Sequence, residues 1–203
     1  LTSNPIAIVN FTDDVRSAFK TFGNVYAEYA FLADKSLKFR SNFGAEITFD
    51  HNKAFGENFG DDNDNDPNEL YPGQGRQNRP SNLNENRGEA TTFTFTNTLN
   101  YTKTFAEKHS MNALLGEETV SYDQSAVGGS RTNYNNTTDP FRYLDFGSDV
   151  NKNSSGSAQS WNLISFFASA NYAYDNKYLA SGTIRADGSS RFGPNNKWGY
   201  FPS

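Results

Sequence analysis

Apolar and polar residues alternate with a period of two along several stretches of the chain. In one, Leu37, Phe39, Ser41, Phe43, Ala45, Ile47 and Phe49 take the odd positions, and all but Ser41 are apolar. Lys38, Arg40, Asn42, Gly44, Glu46 and Thr48 lie between them. A strand sends alternate side chains to opposite faces, so this segment predicts a strand with one apolar and one polar face. Residues 92–105 repeat the pattern, with Phe93, Phe95, Leu99, Tyr101 and Phe105 set against Thr92, Thr94, Thr96, Thr98, Asn100, Thr102 and Thr104. Weaker alternation predicts strands over 22–33, 110–122, 161–174 and 178–187, and a seventh near Trp198. In 110–122 the parity changes around Gly116, which is consistent with a bulge. Residues 12–20 fit either a short helix capped by Asp13 and Asp14 or a lead into the first strand.

The connections alternate as regularly as the strands. Short turns fall at 33–36, 106–109 and 175–177, and long polar segments at about 51–90, 123–159 and 188–197. In an antiparallel meander this order puts every short turn at one end and every long loop at the other. That is the layout of an outer-membrane barrel. The strands also suit a tilted membrane crossing of about 9–11 residues. A loop as long as 51–90 argues against a compact soluble domain.

Composition alone gives a different first impression. Leu, Ile, Val and Phe make up just under a fifth of the 203 residues, near the threshold for disorder, and mean hydropathy is -0.77. Yet net charge is only -5, and the chain holds 18 Phe and 11 Tyr. Disordered chains are poor in aromatics. Disorder is therefore expected only locally, over 56–90 and 123–158. No apolar run is long enough for a membrane-spanning helix, and no basic segment precedes an apolar run as in a signal peptide. The acidic balance gives no electrostatic footprint for nucleic acid. With no Cys there are no disulfides, thiolate metal sites or Cys nucleophiles. A chain running from Leu1 to Ser203 reads as a fragment or a processed piece.

The last 33 residues carry a specific resemblance. Ile184-Arg185-Ala186-Asp187-Gly188-Ser189-Ser190-Arg191-Phe192-Gly193, followed by Trp198-Gly199-Tyr200-Phe201-Pro202-Ser203, resembles the signature hairpin of SusC/RagA-like TonB-dependent outer-membrane transporters. Asn4-Pro5, then Gly23-Asn24-Val25-Tyr26-Ala27-Glu28-Tyr29, then Leu37-Lys38-Phe39-Arg40-Ser41-Asn42-Phe43-Gly44 are similar to that family in the same order. The resemblance implies an all-β antiparallel meander forming part of a 22-stranded transmembrane barrel in the outer membrane, with residues 1–203 as a partial barrel domain. The plug, the TonB-contacting segment, a signal sequence and most strands have no counterpart here. It further implies import of oligosaccharides or peptides, a SusD-like surface lipoprotein as lid, and energy from TonB-ExbB-ExbD through the plug. The membrane lipid would be the other partner. No enzymatic activity is implied.

Candidate site residues follow from chemistry and position. Tyr71, Tyr134, Phe141 and Tyr143 lie in the long segments, where rings could stack on sugars; packing is the rival role. Trp161 opposes the apolar set of its strand and so fits a lumenal position. Arg185, Asp187 and Arg191 could contact ligand or pair with one another within the wall. Asp62, Asp64 and Asp66 mimic the start of a calcium loop. Pro67 and Gly73, however, stand where an EF-hand needs Gly and Glu. A solvated acidic loop fits better, and calcium is the one cofactor to test. His51 and His109 fall at opposite strand ends and make neither a metal pair nor a triad. Glu117 and Glu118 point to opposite faces.

A secreted carbohydrate-binding β-sandwich is the alternative that shares the alternation and the aromatics; it requires a self-contained core and shorter strands. The two differ in solution. Residues 1–203 expressed alone should aggregate or require detergent, and a monodisperse, cooperatively unfolding monomer in plain buffer would exclude the barrel reading.

Overall fold

A computed structural model describes residues 5–57, 80–193 and 196–203. A short helix, α1 (Pro5–Phe11), leads into β1 (Thr12–Ala30), β2 (Leu37–Gly56), β3 (Asn82–Phe105), β4 (His109–Thr132), β5 (Ser148–Tyr174), β6 (Tyr178–Ser189) and β7 (Trp198–Pro202). Among the described residues these seven strands form one sheet in the order β1-β2-β3-β4-β5-β6-β7. Every strand lies beside its neighbours in sequence, the expected meander. The chain divides into two compact units. One gathers Leu1–Phe19, Phe49–Glu89 and Ser125–Ala158, the other Lys20–Thr48, Ala90–Gln124 and Gln159–Ser203.

The second unit holds all three short turns. Phe105–Lys108 and Tyr174–Lys177 close with i→i+3 bonds of 3.2 and 3.0 Å. Both central residues of each, Ala106 and Glu107, then Asp175 and Asn176, have φ of +47° to +61°. That is the primed geometry whose twist matches paired strands. Asp175 and Asn176 tolerate it well; Ala106 and Glu107 pay about 1–2 kcal/mol each, offset by the ladders they join. In the first turn, Asp34 accepts bonds from the Ser36 hydroxyl at 2.7 Å and the Ser36 N–H at 3.1 Å.

Cross-strand pairs in this unit show its register. Lys20 pairs with Glu46 at 2.8 Å, Asn24 donates to Asn42 at 2.9 Å, the Arg40 guanidinium lies 3.9 Å from the Tyr26 ring centre, and Lys38 pairs with Glu28 at 3.4 Å. Advancing two or four residues along β1 retreats by the same number along β2. This is an antiparallel ladder whose even positions form one polar face. Odd positions carry exposed rings: Phe39, Phe43, Phe93 and Phe95, with Phe43 stacked on Phe93 at 5.9 Å.

The first unit has a small core of its own. Phe55, Leu83 and Tyr134 are buried, and Leu144 packs against them. Phe55 meets Tyr134 edge-on at 5.1 Å. Arg142 holds segment 133–147 in place: it bonds Glu57 at 2.6 Å, Asp139 at 3.0 Å, Asp13 at 3.3 Å and the Thr137 carbonyl at 2.7 Å, and covers the Phe55 ring.

Three sequence expectations change. The strands reach further than the alternation predicts: 51–56, 82–90, 123–132 and 148–159 are strand, so the second long segment shrinks to 133–147. Those extensions are held by polar contacts, His51–Glu85 at 2.8 Å and Ser125–Glu89 at 3.2 Å. Where neither face is apolar, the sequence shows no alternation. Residues 82–90, 123–132 and 148–158 are accordingly ordered strand rather than disordered chain. Thirdly, β4 runs unbroken through Gly116.

The Ser36 hydroxyl, then Lys103 at 3.0 Å, hold the Asp34 carboxyl down at about 2. Its hold on the turn is complete above the ordinary value of 3.8 and is lost as pH falls towards 2. A carbon-13 carboxyl titration of the detergent-solubilised protein should give a midpoint far below 3.8 that rises in Lys103→Met. An ordinary midpoint would refute the pairing.

Candidate functional site: the polar face of β3 to β6

The second unit's polar face carries a connected set of side chains. β5 and β6 pair Phe167 with Arg185 and Ser165 with Asp187. Arg185 donates from Nε to Asp187 at 2.7 Å, and from Nη2 to Ser165 Oγ at 3.0 Å and Glu118 at 3.4 Å. Glu118 also accepts from Thr96 at 3.4 Å. Four strands, β3 to β6, thus contribute to one network. Ser165 is fully buried beneath it.

Gly116 makes this arrangement possible. A Cβ at Gly116 would sit inside the Phe167 ring. The ring lies flat across β4 in that space, and the Arg185 guanidinium lies 5.6 Å from its centre. The glycine thus provides room for an aromatic ring from the neighbouring strand.

A second cluster lies further along the same strands. Tyr122 and Trp161 stack at 5.2 Å with planes 20° apart. The Arg191 guanidinium lies 4.9 Å from the Trp161 ring centre. Trp161 shares the odd parity of Ser165 and Phe167 on β5. Arg191, read as either a ligand contact or a wall partner of Arg185 and Asp187, contacts Trp161.

The remaining candidates separate. Tyr134 is 7% exposed and belongs to the first unit's core, so its ring cannot stack on a ligand. Burial pushes its phenol up to about 12. The Ser81 hydroxyl anchors that core by accepting from the Tyr134 N–H at 2.8 Å. Phe141 packs edge-on against Phe146 at 5.1 Å. Tyr143 remains exposed, with Lys53 Nζ 4.3 Å from its ring centre. Tyr71, Asp62, Asp64 and Asp66 lie outside the described residues. Among the described residues no three His, Asp or Glu side chains gather as metal ligands. His51 bonds Glu85, while His109 bonds the Tyr172 hydroxyl at 2.6 Å. Sequence reasoning missed Arg142, Phe167, Tyr122 and Glu118 as partners. It also missed a first-unit groove of about 750 Å³ bordered by Phe19, Phe49, Arg87 and Val127. Only the misplaced Gly116 signalled any of these.

An exposed apolar face backed by a paired polar one, in a long-stranded meander with tight turns, defines a segment of β-barrel wall. No protein-family model matches the chain. It is 31% identical over 98% of its length to TonB-dependent receptor P3 and 30% identical over 99% to TonB-dependent receptor P26, both of Formosa agariphila. A stretch of 41 residues is 54% identical to TonB-dependent receptor SusC of Bacteroides thetaiotaomicron, covering 20% of the chain and 4% of that protein. The fold matches the structure of the RagAB peptide transporter with a TM-score of 0.78 at 23% identity, over 96% of this chain and 20% of that one. The chain spans about a fifth of the length of its full-span relatives. Along its length it is a segment of barrel wall similar to that of SusC/RagA-like TonB-dependent receptors.

Gly116→Ala should displace the Phe167 ring and with it Arg185, costing about 1–3 kcal/mol by overpacking. The cost should vanish in a Phe167→Ala background, as a double-mutant cycle in urea unfolding would read. Equal costs in both backgrounds would exclude the seat.

Proposed function

We propose that this chain forms part of the wall of an outer-membrane transporter that imports large nutrients, oligosaccharides or peptides, with a SusD-like lipoprotein as its lid. Energy would reach it from TonB-ExbB-ExbD through a plug outside these residues. The observation that carries the reading is the contrast between the faces of the second unit. Rings such as Phe43, Phe95 and Phe166 are exposed, while the opposite face spends its charges on cross-strand pairs. Water makes large exposed apolar patches costly, whereas lipid makes them the stable outer surface. Near the short turns, Tyr172, Tyr174 and Tyr178 are exposed, with Tyr174 stacked on Tyr178 at 6.4 Å. Tyr suits the boundary between lipid and water. The names of the relatives and the RagAB fold match support the transporter class, and the polar face supplies a lumenal surface for hydrophilic cargo.

A secreted β-sandwich would need a second sheet over the apolar face, and the described residues form one sheet.

The face assignment is tested in the complete receptor. Phe43→Arg or Ile47→Arg should cost about 2–4 kcal/mol near the bilayer midplane and sharply reduce folded protein in the outer membrane. Arg40→Ala should be tolerated. Heat-modifiable mobility on cold gels and surface labelling read the outcome, and equal tolerance of all three would overturn the assignment.

A further inference from the structure

We infer that Arg191, held on the Trp161–Tyr122 stack, is a carboxylate-reading subsite on the polar face of the second unit; this rests on the reading of that face as the cargo-facing surface of a transporter. The loop bearing Arg191 is pinned to β5. Ser190 N–H donates to the Asn162 carbonyl at 2.9 Å, and Asn162 N–H donates to Ser190 Oγ at 2.8 Å. Ser189 Oγ accepts from the Arg191 N–H at 3.2 Å. The side chain therefore leaves a fixed backbone.

The guanidinium then lies 4.9 Å from the indole centre, and the indole is stacked on Tyr122. Stacking engages the flat face of a guanidinium and leaves its N–H edge available for a planar, two-oxygen acceptor. The paired N–H edge of a guanidinium matches the two oxygens of a carboxylate.

The contrast with the other arginines of this unit is informative. Arg185 is committed to Asp187 and Glu118, and Arg40 lies over Tyr26 in mid-strand. Among the described residues no carboxylate pairs with Arg191, and the residue is exposed. It stands at the end of the unit away from the three short turns. An exposed cation fixed on a stack, with no carboxylate partner among the described residues, binds anions at less ordering cost than a free surface arginine. The carboxylate could belong to a peptide C-terminus or to a uronic acid.

The test uses the complete receptor in detergent. Two probe pairs are offered at equal concentration: a tetrapeptide pool with free C-termini against the same pool amidated, and galacturonic acid tetramers against galactose tetramers. Mass spectrometry of the retained probes gives the acid-to-neutral ratio of each pair. Wild type should favour the acid member of at least one pair by about 10-fold, as one charge-assisted pair supports. Peptide preference or uronate preference then names the source. Arg191→Gln should bring the ratio to near unity, Trp161→Leu should lower it, and Arg191→Lys should retain part of it. An equal ratio in wild type, or one unchanged by Arg191→Gln, overturns the subsite. Failure of the Phe43 and Arg40 test would instead remove the transporter reading itself, so the two failures are distinguishable.

Discussion

Strand register is the constraint on which the rest of this structure depends. Lys20–Glu46, Asn24–Asn42 and Lys38–Glu28 fall on a single antiparallel register. The same holds for Phe167–Arg185 and Ser165–Asp187 in β5 and β6. Side-chain direction has a period of two, so a slip of one residue would turn each of these charges to the apolar face. The pairs are weak singly, since exposed ion pairs contribute at most about 1 kcal/mol. Together they penalise every register but one. The tight turns at Phe105–Lys108 and Tyr174–Lys177 fix the same register from the other side, because a two-residue loop leaves no slack.

With register fixed, stability does not come from a conventional core. Phe55, Leu83 and Tyr134 are the buried apolar residues among those described, far fewer than a soluble domain of this size requires. Backbone ladders satisfy the peptide groups, and the rings face outwards. Such a sheet reaches its stable state only where apolar surroundings cover one face and closure with further strands removes the edges. Local packing still matters where it occurs. Phe167 fills the space above Gly116, and Arg142 brings three carboxylates together around the Phe55 ring.

The parts of the fold legible in the sequence were those where one face meets an apolar medium. Residues 37–49 and 92–105 alternate because odd positions there must be apolar, and the short turns between strands follow from length alone. The upper stretches of β3 and β4 were not legible. Around His51, Glu85, Glu89 and Ser125 apolar residues such as Phe55, Leu83 and Val127 are few and irregularly spaced, so alternation carries no signal although the ladder continues. Site residues were legible by type and not by partner. Arg185 and Asp187 pair as their spacing of two suggests, but Glu118 comes from β4, and no local pattern links positions 67 residues apart. Tyr134 takes the packing role that sequence left open beside stacking on a ligand; its burial depends on Arg142 and Ser81, which hold segment 133–147.

The charges of the second unit are largely paired. The chain carries 23 acidic and 18 basic residues, yet the polar face of the second unit neutralises most of its charges in pairs: Lys20 with Glu46, Lys38 with Glu28, and Arg185 with Asp187 and Glu118. Paired charges project little field beyond a Debye length of about 8–10 Å. A wall built this way is hydrophilic without strong preference for either sign. The acidic excess of the sequence is densest at 61–66, outside the described residues. The barrel wall can therefore keep one pairing pattern while the segments joined to it vary, because register depends on the pairs and not on what the strands' far ends contact.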